Sequence, residues 1–244
     1  MKITSVNNEI VKETSKLLQK KYREELKLFL LEGDKCIDEA IASNIDIIRV
    51  FKLNNYEKKF TDDDIEVTDA ILSKISSTST PPKAIAVAKQ PQQIWSKQYK
   101  KIILLENIKD AGNLGTILRT AAGFNIDAVI LYGDTVDLYN PKCVRSAVGN
   151  LWKVPVYNIS DYNELKSKFG TYERVATLPK SEQSVWLKDY KPKEKILAMF
   201  GSEADGLSDV LKNFATKNVT IEMSKNVESL NLSVSAGIFM YKLF

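Results

Sequence analysis

The fold is decided by residues 102–119, which read IILLENIKDAGNLGTILR. The first four residues form an uninterrupted apolar run, which is typical of a β-strand that is buried on both faces. Gly112 and Gly115 follow this run and permit a tight turn, and a helical pattern begins at Asn113. A strand that leads through such a turn into a helix is the basic unit of an α/β sheet, and ligands bind at the carboxyl ends of its strands.

Strand and helix patterns alternate through residues 99–244. After a helix over 113–124, we expect strands at 128–132, 154–157, 174–178, 196–200 and 219–223, and a final helix over about 229–243. This alternation predicts a mostly parallel sheet with helices on both faces.

A smaller α/β region is predicted before this sheet. Its expected elements are a helix over 10–28, a strand over 29–33, a helix over 34–42, and strands at 45–51 and 84–88. Stretches rich in Ser, Thr, Pro and Gln punctuate the chain at 76–82 and 90–93. We therefore predict one domain of residues 1–95 and a second domain of residues 96–244.

The composition excludes several kinds of site. The 244 residues include 35 Lys and Arg, 31 Asp and Glu, no histidine, and two cysteines, Cys36 and Cys143. Without histidine there is no Ser-His-Asp machinery, no histidine general base and no histidine-ligated metal, and two cysteines cannot build a structural zinc site. We expect no metal. The sequence has no membrane-spanning apolar segment and no signal-peptide pattern, so we expect a cytoplasmic protein.

Three loops after predicted strands carry polar residues suited to chemistry. The first contains Asn113 and, less than two helical turns later, Arg119. The second is a glycine-bracketed acidic turn that contains Glu203, and the third places Ser229 and Asn231 at the start of an apolar helix. Each loop on its own is also compatible with ordinary helix capping and strand-to-helix connection.

Together, these loops resemble the motifs of the SpoU (TrmH-like) family of RNA ribose 2′-O-methyltransferases, within the SPOUT superfamily. The similar stretches are residues 107–121, 140–149, 200–208 and 221–231. Their order and spacing agree with the family over residues 101–244, and residues 29–33 with the basic helix before them resemble its N-terminal substrate-binding domain more weakly. Ala111 is a departure, because the family usually has proline there.

The resemblance implies an architecture and a cofactor. The implied α/β fold has a small N-terminal substrate-binding domain and a C-terminal, mostly parallel sheet with a deep trefoil knot, and it forms a homodimer through the C-terminal domain. The implied cofactor is S-adenosyl-L-methionine (SAM). The residues implied to bind SAM are Phe200, Gly201, Gly206, Ile221, Met223 and Leu230.

The resemblance also implies residue roles. The implied catalytic residues are Arg119, Asn113, Glu203, Ser229 and Asn231. A guanidinium stays protonated, so we expect Arg119 to bind the target phosphate and to stabilise developing alkoxide charge. Its own deprotonation, or proton loss through Ser229 or water, stays open. The residues expected to contact RNA are Arg119, Lys142 and Arg145, together with the basic cluster Lys20, Lys21 and Arg23.

The function implied by the resemblance is SAM-dependent methylation of a ribose 2′-hydroxyl, in ribosomal RNA first and transfer RNA second. One alternative is a non-catalytic RNA-binding protein that retains the fold, and the presence of all five implied catalytic residues argues against it. A different nucleotide-dependent α/β enzyme is a second alternative. The sequence has no P-loop and no dinucleotide-binding fingerprint, which argues against that class.

Overall fold

A computed structural model describes residues 1–179, 183–224 and 226–244. The chain forms two compact units, the first from Met1–Gln92 with Asp137–Trp152 and the second from Gln93–Val136 with Lys153–Phe244. The strands are β1 (Lys2–Ile3), β2 (Leu28–Glu32), β3 (Ile47–Leu53), β4 (Ile65–Val67), β5 (Ala84–Lys89), β6 (Lys101–Glu106), β7 (Ala128–Tyr132), β8 (Val156–Ile159), β9 (Glu173–Thr177), β10 (Ser184–Trp186), β11 (Ile196–Phe200) and β12 (Lys217–Thr220). The helices are α1 (Glu9–Lys16), α2 (Lys20–Leu26), α3 (Asp34–Ala42), α4 (Asp69–Ile75), α5 (Ala111–Gly123), α6 (Pro141–Ala147), α7 (Tyr162–Phe169), α8 (Asp209–Phe214) and α9 (Leu232–Leu243). Within the described ranges, no helix is long and apolar enough to cross a membrane.

The first unit is built on a mixed sheet of five strands in the order β1-β4-β3-β5-β2. Strand β5 runs antiparallel to β2 and β3, whereas β4 runs parallel to β1 and β3. Apolar side chains from the sheet and from α1 and α4 form a common core that includes Val11, Phe51, Ile71 and Ile85. Burial of such side chains is the main driving force for folding this unit.

The helix predicted over residues 10–28 is two helices, α1 and α2. The apolar pattern continues through the break because Leu17, which ends α1, is itself buried. Arg23 explains how the break is stabilised, since its Nη1 donates a hydrogen bond to the Leu17 carbonyl at 2.7 Å and satisfies a helix-terminal acceptor. Helical periodicity alone does not reveal such a turn.

Residues 137–152 pack with the first unit, although the predicted boundary placed them in the second domain. The Asp137 carboxylate forms an ion pair with Arg23, with Nη2 and Oδ2 2.6 Å apart. The ring of Tyr139 lies 4.9 Å from that of Phe29. Gly149 has a φ of +75°, and a Cβ there would lie 2.4 Å from the Glu39 Cβ, so only glycine fits. These contacts join residues far apart in sequence, which is why the chain pattern did not predict them.

The second unit is built on seven strands in the order β10-β12-β9-β11-β6-β7-β8. Every neighbouring pair of these described strands is parallel. The prediction of an α/β fold with a mostly parallel sheet is therefore confirmed. Strands β6 and β11 lie side by side in the interior of the sheet, with Phe200 in register with Leu105. Because the strands are parallel, the loops that follow β6, β11 and β12 leave the same edge of the sheet.

The predicted strands at 128–132 and 196–200 match β7 and β11. Strand β8 lies two residues later than predicted, and β12 ends at Thr220 instead of residue 223. The last helix begins at Leu232 instead of about residue 229, because the Asn231 side chain caps it by accepting from the Ser233 backbone N–H at 2.9 Å.

Candidate functional site in the second unit

The loop after β6 positions Asn113. Asp110 caps α5, since its Oδ1 accepts the Asn113 backbone N–H at 2.8 Å. The helix was predicted to begin at Asn113, but α5 begins at Ala111. Asn113 therefore lies in the first turn of the helix, where its side-chain amide is available for other contacts. The preceding Asn107 has a φ of +54°, and its side-chain oxygen accepts from the Asp134 backbone N–H at 2.9 Å. The loop that precedes α5 is therefore anchored to the loop that follows β7.

The loop after β11 requires glycine at Gly201. A Cβ at that position would lie 1.9 Å from the carbonyl carbon of Gly206. The two ends of the turn are joined by backbone hydrogen bonds between Ser202 and Gly206, of 3.2 and 3.0 Å. This tight turn presents Glu203 to solvent.

Glu106 was not predicted as a site residue, yet it anchors the same loop. It is 3% exposed at the end of β6, and its Oε2 accepts the Ser208 backbone N–H at 2.7 Å. The signal in the sequence is a carboxylate that ends an otherwise apolar buried strand, since a buried charge requires a partner. Glu106 thus ties the loop after β11 to the end of β6.

The three loops meet through a chain of side-chain hydrogen bonds. Asn113 Nδ2 donates to Glu203 Oε1 at 2.6 Å, and Asn231 Nδ2 donates to Asn113 Oδ1 at 3.0 Å. Asn231 Oδ1 in turn accepts from Ser233 Oγ at 2.6 Å. Three of the five residues predicted to be catalytic are therefore in direct contact, although 90 and 118 residues separate the bonded pairs.

A cavity of about 610 Å³ adjoins this chain. Its volume is within the range of small-molecule sites. All six residues predicted to bind the cofactor line it: Phe200, Gly201, Gly206, Ile221, Met223 and Leu230. Glu203, Ser229 and Asn231 line it as well. Thr177 and Leu178, from the end of β9, also line the cavity and were not predicted, because no motif marks that strand.

The cavity combines apolar walls with carboxylates. Glu203, Asp205 and Glu228 contribute to its lining, and all three are exposed. Side-chain hydroxyls hold its edges in place: Thr177 donates to the Met199 carbonyl at 2.8 Å and Thr220 donates to the Leu178 carbonyl at 3.0 Å. A site of this kind suits a ligand with an apolar or aromatic part and a positive charge.

Arg119 is not brought into this cluster. It lies on α5 about 120° around the helix axis from Asn113, as follows from six residues at 3.6 residues per turn. Its side chain is exposed, and within the described part of the chain it makes no ion pair or side-chain hydrogen bond. Ser229 is exposed at the cavity and likewise does not join the hydrogen-bonded chain.

The residues of the first unit that were predicted to contact RNA differ in their exposure to solvent. Lys20 and Lys21 are exposed, and Lys20 lies 3.6 Å from Glu24 in a surface ion pair. Lys142 is also exposed. The prediction that Arg23 contacts RNA must be corrected. Arg23 is 2% exposed, and its guanidinium binds Asp137 and the Leu17 carbonyl. A guanidinium that is buried and paired with Asp137 is not accessible to a phosphate.

Arg145 is held by Glu32 of the first unit. Its Nη1 lies 3.3 Å from Glu32 Oε2, and it also donates to Ser77 Oγ. Glu32 is buried, so the ion pair compensates its charge. This arrangement gives Arg145 a structural role that the resemblance did not imply.

The described residues contain no group of three or more Cys, Asp or Glu side chains that could hold a metal. Both cysteines are buried in the first unit. Burial raises the pKa of the Cys36 thiol to about 12 and also raises the pKa of Cys143. Neither thiol is a reactive nucleophile.

Comparison with known proteins gives one consistent family. The SpoU rRNA methylase family matches residues 100–241, and an MRM3-like substrate binding domain matches residues 8–86. An uncharacterized tRNA/rRNA methyltransferase of Synechocystis is 30% identical over 98% of this chain and 92% of its own length. The 23S rRNA (guanosine(2553)-2′-O)-methyltransferase RlmP of Bacillus subtilis is 30% identical over 99% of this chain and 98% of its own length.

Solved structures agree with this result. An AdoMet-bound rRNA methyltransferase from Sinorhizobium meliloti superimposes with a TM-score of 0.87 and 25% identity, covering 99% of this chain and 96% of its own. The match extends over both units, and so it includes the sheet, the three loops and the first unit alike. This chain belongs to the SpoU rRNA methylase family.

Proposed function

We propose that this protein transfers a methyl group from SAM to a ribose 2′-hydroxyl of ribosomal RNA. The observation that carries the proposal is the hydrogen-bonded chain of Asn113, Glu203 and Asn231 beside a cavity formed by loops from the same sheet edge. The Bacillus subtilis relative is named for 2′-O-methylation of 23S rRNA, and the Sinorhizobium meliloti structure is named as AdoMet-bound. Transfer RNA is the second candidate substrate.

The cavity fits SAM. Gly201 and Gly206 line it through a tight turn, Met223 and Leu230 supply apolar walls, and the lining carboxylates complement a cation. SAM, when bound, supplies an already activated methyl group, so no metal or imidazole is required. The task left to the protein is to align the ribose hydroxyl, to receive its proton and to stabilise the developing charge.

Arg119 is proposed to bind the phosphate of the target nucleotide and to stabilise alkoxide charge. Its exposed guanidinium, with no partner among the described residues, is available for an anion. The first unit, with Lys20, Lys21 and Lys142 on its surface, is proposed as the RNA substrate-binding domain, and the second unit as the catalytic domain.

We also propose a homodimer formed through the second unit. Exposed apolar residues follow one face of α9: Val234, Ile238, Tyr241 and Phe244. The rings of Tyr241 and Phe244 lie 5.8 and 5.7 Å from that of Phe124, which follows α5, the helix that carries Arg119. A continuous apolar surface of this kind favours a protein partner.

Two further parts of the proposal rest on family membership. The second unit is proposed to contain the deep trefoil knot, and its sheet order, in which β11 returns between β9 and β6, is compatible with such a path. A cytoplasmic location is proposed because the substrate is ribosomal RNA.

The proposed function is tested with the purified protein, SAM labelled in the methyl group, and ribosomal RNA from cells that lack this protein. We expect label in alkali-resistant dinucleotides, because a 2′-O-methyl group blocks alkaline cleavage of the neighbouring phosphodiester. Unmodified transfer RNA is the parallel substrate. RNA binding without label in either RNA would contradict the proposal and favour the non-catalytic alternative.

A further inference from the structure

The hydrogen-bonded chain beside the cavity has a fixed direction. At one end, the backbone N–H groups of Ser233 and Val234 lie 2.9 and 3.4 Å from one side-chain atom of Asn231. Backbone N–H groups only donate, so this atom must be the amide oxygen. The Asn231 NH₂ group is therefore the part that faces Asn113.

The direction continues to the other end. Asn113 accepts from Asn231 through Oδ1, so its NH₂ group is turned towards Glu203 at 2.6 Å. A carboxylate accepts this hydrogen bond, in agreement with the direction set at the Asn231 end. Every hydrogen bond in the chain is thus donated towards Glu203, which is its terminal acceptor.

Because of this direction, the two asparagines keep hydrogen-bond donors for a ligand, whereas Glu203 keeps an acceptor. Asn113 and Asn231 each retain an amide N–H, and such donors suit a developing alkoxide. Glu203 retains Oε2, which makes no hydrogen bond within the described residues. The cluster therefore offers donors from two amides and a single free acceptor from a carboxylate.

The other polar groups near the cavity are less suited to receive a proton. Arg119 carries a guanidinium that is already protonated. The Ser229 hydroxyl would need to pass its own proton to a base, and no base contacts it in the described part of the chain. Asp205 and Glu228 also line the cavity, but neither contacts the amide pair.

We propose that Glu203 Oε2 takes the proton of the ribose 2′-hydroxyl during methyl transfer. In this step the bond between the 2′-oxygen and its hydrogen breaks, and the proton passes to Glu203. The oxygen lone pair forms a bond to the methyl carbon, and the carbon–sulfur bond breaks with its electron pair remaining on sulfur. The products are 2′-O-methyl ribose, S-adenosylhomocysteine and a neutral Glu203 that returns its proton to solvent. This inference rests on the proposed function.

The test uses the full-length protein and compares Glu203→Gln with Glu203→Ala. Glutamine retains an oxygen that can accept from Asn113 but is not a base, so we expect single-turnover methylation to fall by about 100-fold or more. We expect SAM affinity, measured by calorimetry, to stay within about tenfold of wild type. Alanine leaves space for a small carboxylate, so added acetate should raise the rate of Glu203→Ala, whereas sodium chloride at the same ionic strength should not.

Glu164→Gln is the matched control, because Glu164 is an exposed glutamate on α7 that does not line the cavity. A Glu203→Gln rate within 100-fold of wild type would overturn the inference, as would a loss of SAM affinity beyond tenfold or the absence of rescue by acetate. A failure of the wild-type protein to methylate any RNA in the same assay would overturn the proposed function instead. Circular dichroism melts of each variant establish that it is folded.

Discussion

Glu32 in the first unit and Glu203 in the second unit show how the same side chain serves different purposes. Glu32 has a side chain that is 1% exposed, and its oxygens accept from Ser76 and Ser77 and face Arg145. Glu203 is exposed and accepts one hydrogen bond within the described residues, from Asn113. The first carboxylate has its capacity for hydrogen bonds fully used, whereas the second keeps an oxygen for a ligand.

Two of the three arginines that were predicted to contact RNA differ in the same way. Arg23 is buried and bound to Asp137, but Arg119 is exposed and has no partner among the described residues. A buried polar group must be satisfied within the protein, and a group that recognises a ligand must not be. The ionic groups of the first unit are therefore satisfied by partners within the fold, whereas Glu203 and Arg119 of the second unit remain available to a ligand.

The largest expected effect comes from removing one member of the buried ion pair. We expect Arg23→Ala to lower the free energy of unfolding by about 3–5 kcal/mol, because Asp137, whose side chain is only 11% exposed, is left without a compensating charge. Urea unfolding followed by circular dichroism measures this change. Lys20→Ala, in an exposed ion pair, is the matched control and should cost less than about 1 kcal/mol.

The double variant Arg23→Met, Asp137→Leu sharpens this prediction. Because apolar residues of similar volume need no charge compensation, it should recover most of the lost stability. If Arg23→Ala is as stable as Lys20→Ala, the ion pair does not have the structural role assigned to it.

Arg119→Ala should lower activity and leave stability unchanged, in contrast to Arg23→Ala. We expect methyl transfer to fall by roughly 10²–10³-fold, which corresponds to about 2.7–4 kcal/mol of transition-state stabilisation. The free energy of unfolding should change by less than about 0.5 kcal/mol, since the side chain is exposed and without a described partner. Single-turnover methylation and urea unfolding measure the two quantities on the same samples.

The affinity for SAM separates two explanations of an inactive Arg119→Ala variant. We expect the dissociation constant to stay within about tenfold of wild type, because Arg119 does not line the cavity. A larger loss of affinity would show that Arg119 shapes the cofactor site instead of acting on the RNA.

A smaller effect is expected at alkaline pH. The pKa of Cys36 is raised from 9.0 to about 12 by burial, so the folded state retains a proton that the unfolded chain loses. Stability from this group is fully present below pH 9 and is lost progressively as the pH rises towards 12, by about 1 kcal/mol at pH 10. Urea unfolding at pH 8 and pH 10 measures this loss.

Cys36→Ala is the control for the pH effect. It should remove this part of the alkaline destabilisation, leaving a shallower decline between pH 8 and pH 10. Identical declines in the wild type and in Cys36→Ala would rule out the buried thiol as the cause.

The apolar strands were predictable because the signal that defines them is local. Strands β7 and β11 match their predicted ranges since uninterrupted apolar runs bounded by polar residues are a property of the chain itself. Helix caps were less predictable. Asp110 and Asn113 are both suitable caps by residue type, and only the backbone geometry shows that Asp110 is the one used.

Long-range contacts were predictable through the family resemblance and not through physical patterns. Residue types and periodicity do not indicate that Asn113, Glu203 and Asn231 lie together. The family resemblance of the motifs that contain them did predict a shared site. The same resemblance predicted that Arg145 contacts RNA. A motif does not reveal that Arg145 forms an ion pair with Glu32, which is distant in sequence. Arg23 was misassigned since its basic neighbours, Lys20 and Lys21, are exposed and a helix has several faces.

Because residues 137–152 pack with the first unit, no single cut in the chain separates the two units. A fragment cut after residue 95 would carry Arg23 without Asp137 and Phe29 without Tyr139. Recombination at that point would transfer an incomplete unit, and a single proteolytic nick there would not release a whole one. Exchange of the whole first unit between relatives would therefore require the transfer of two separated segments at once.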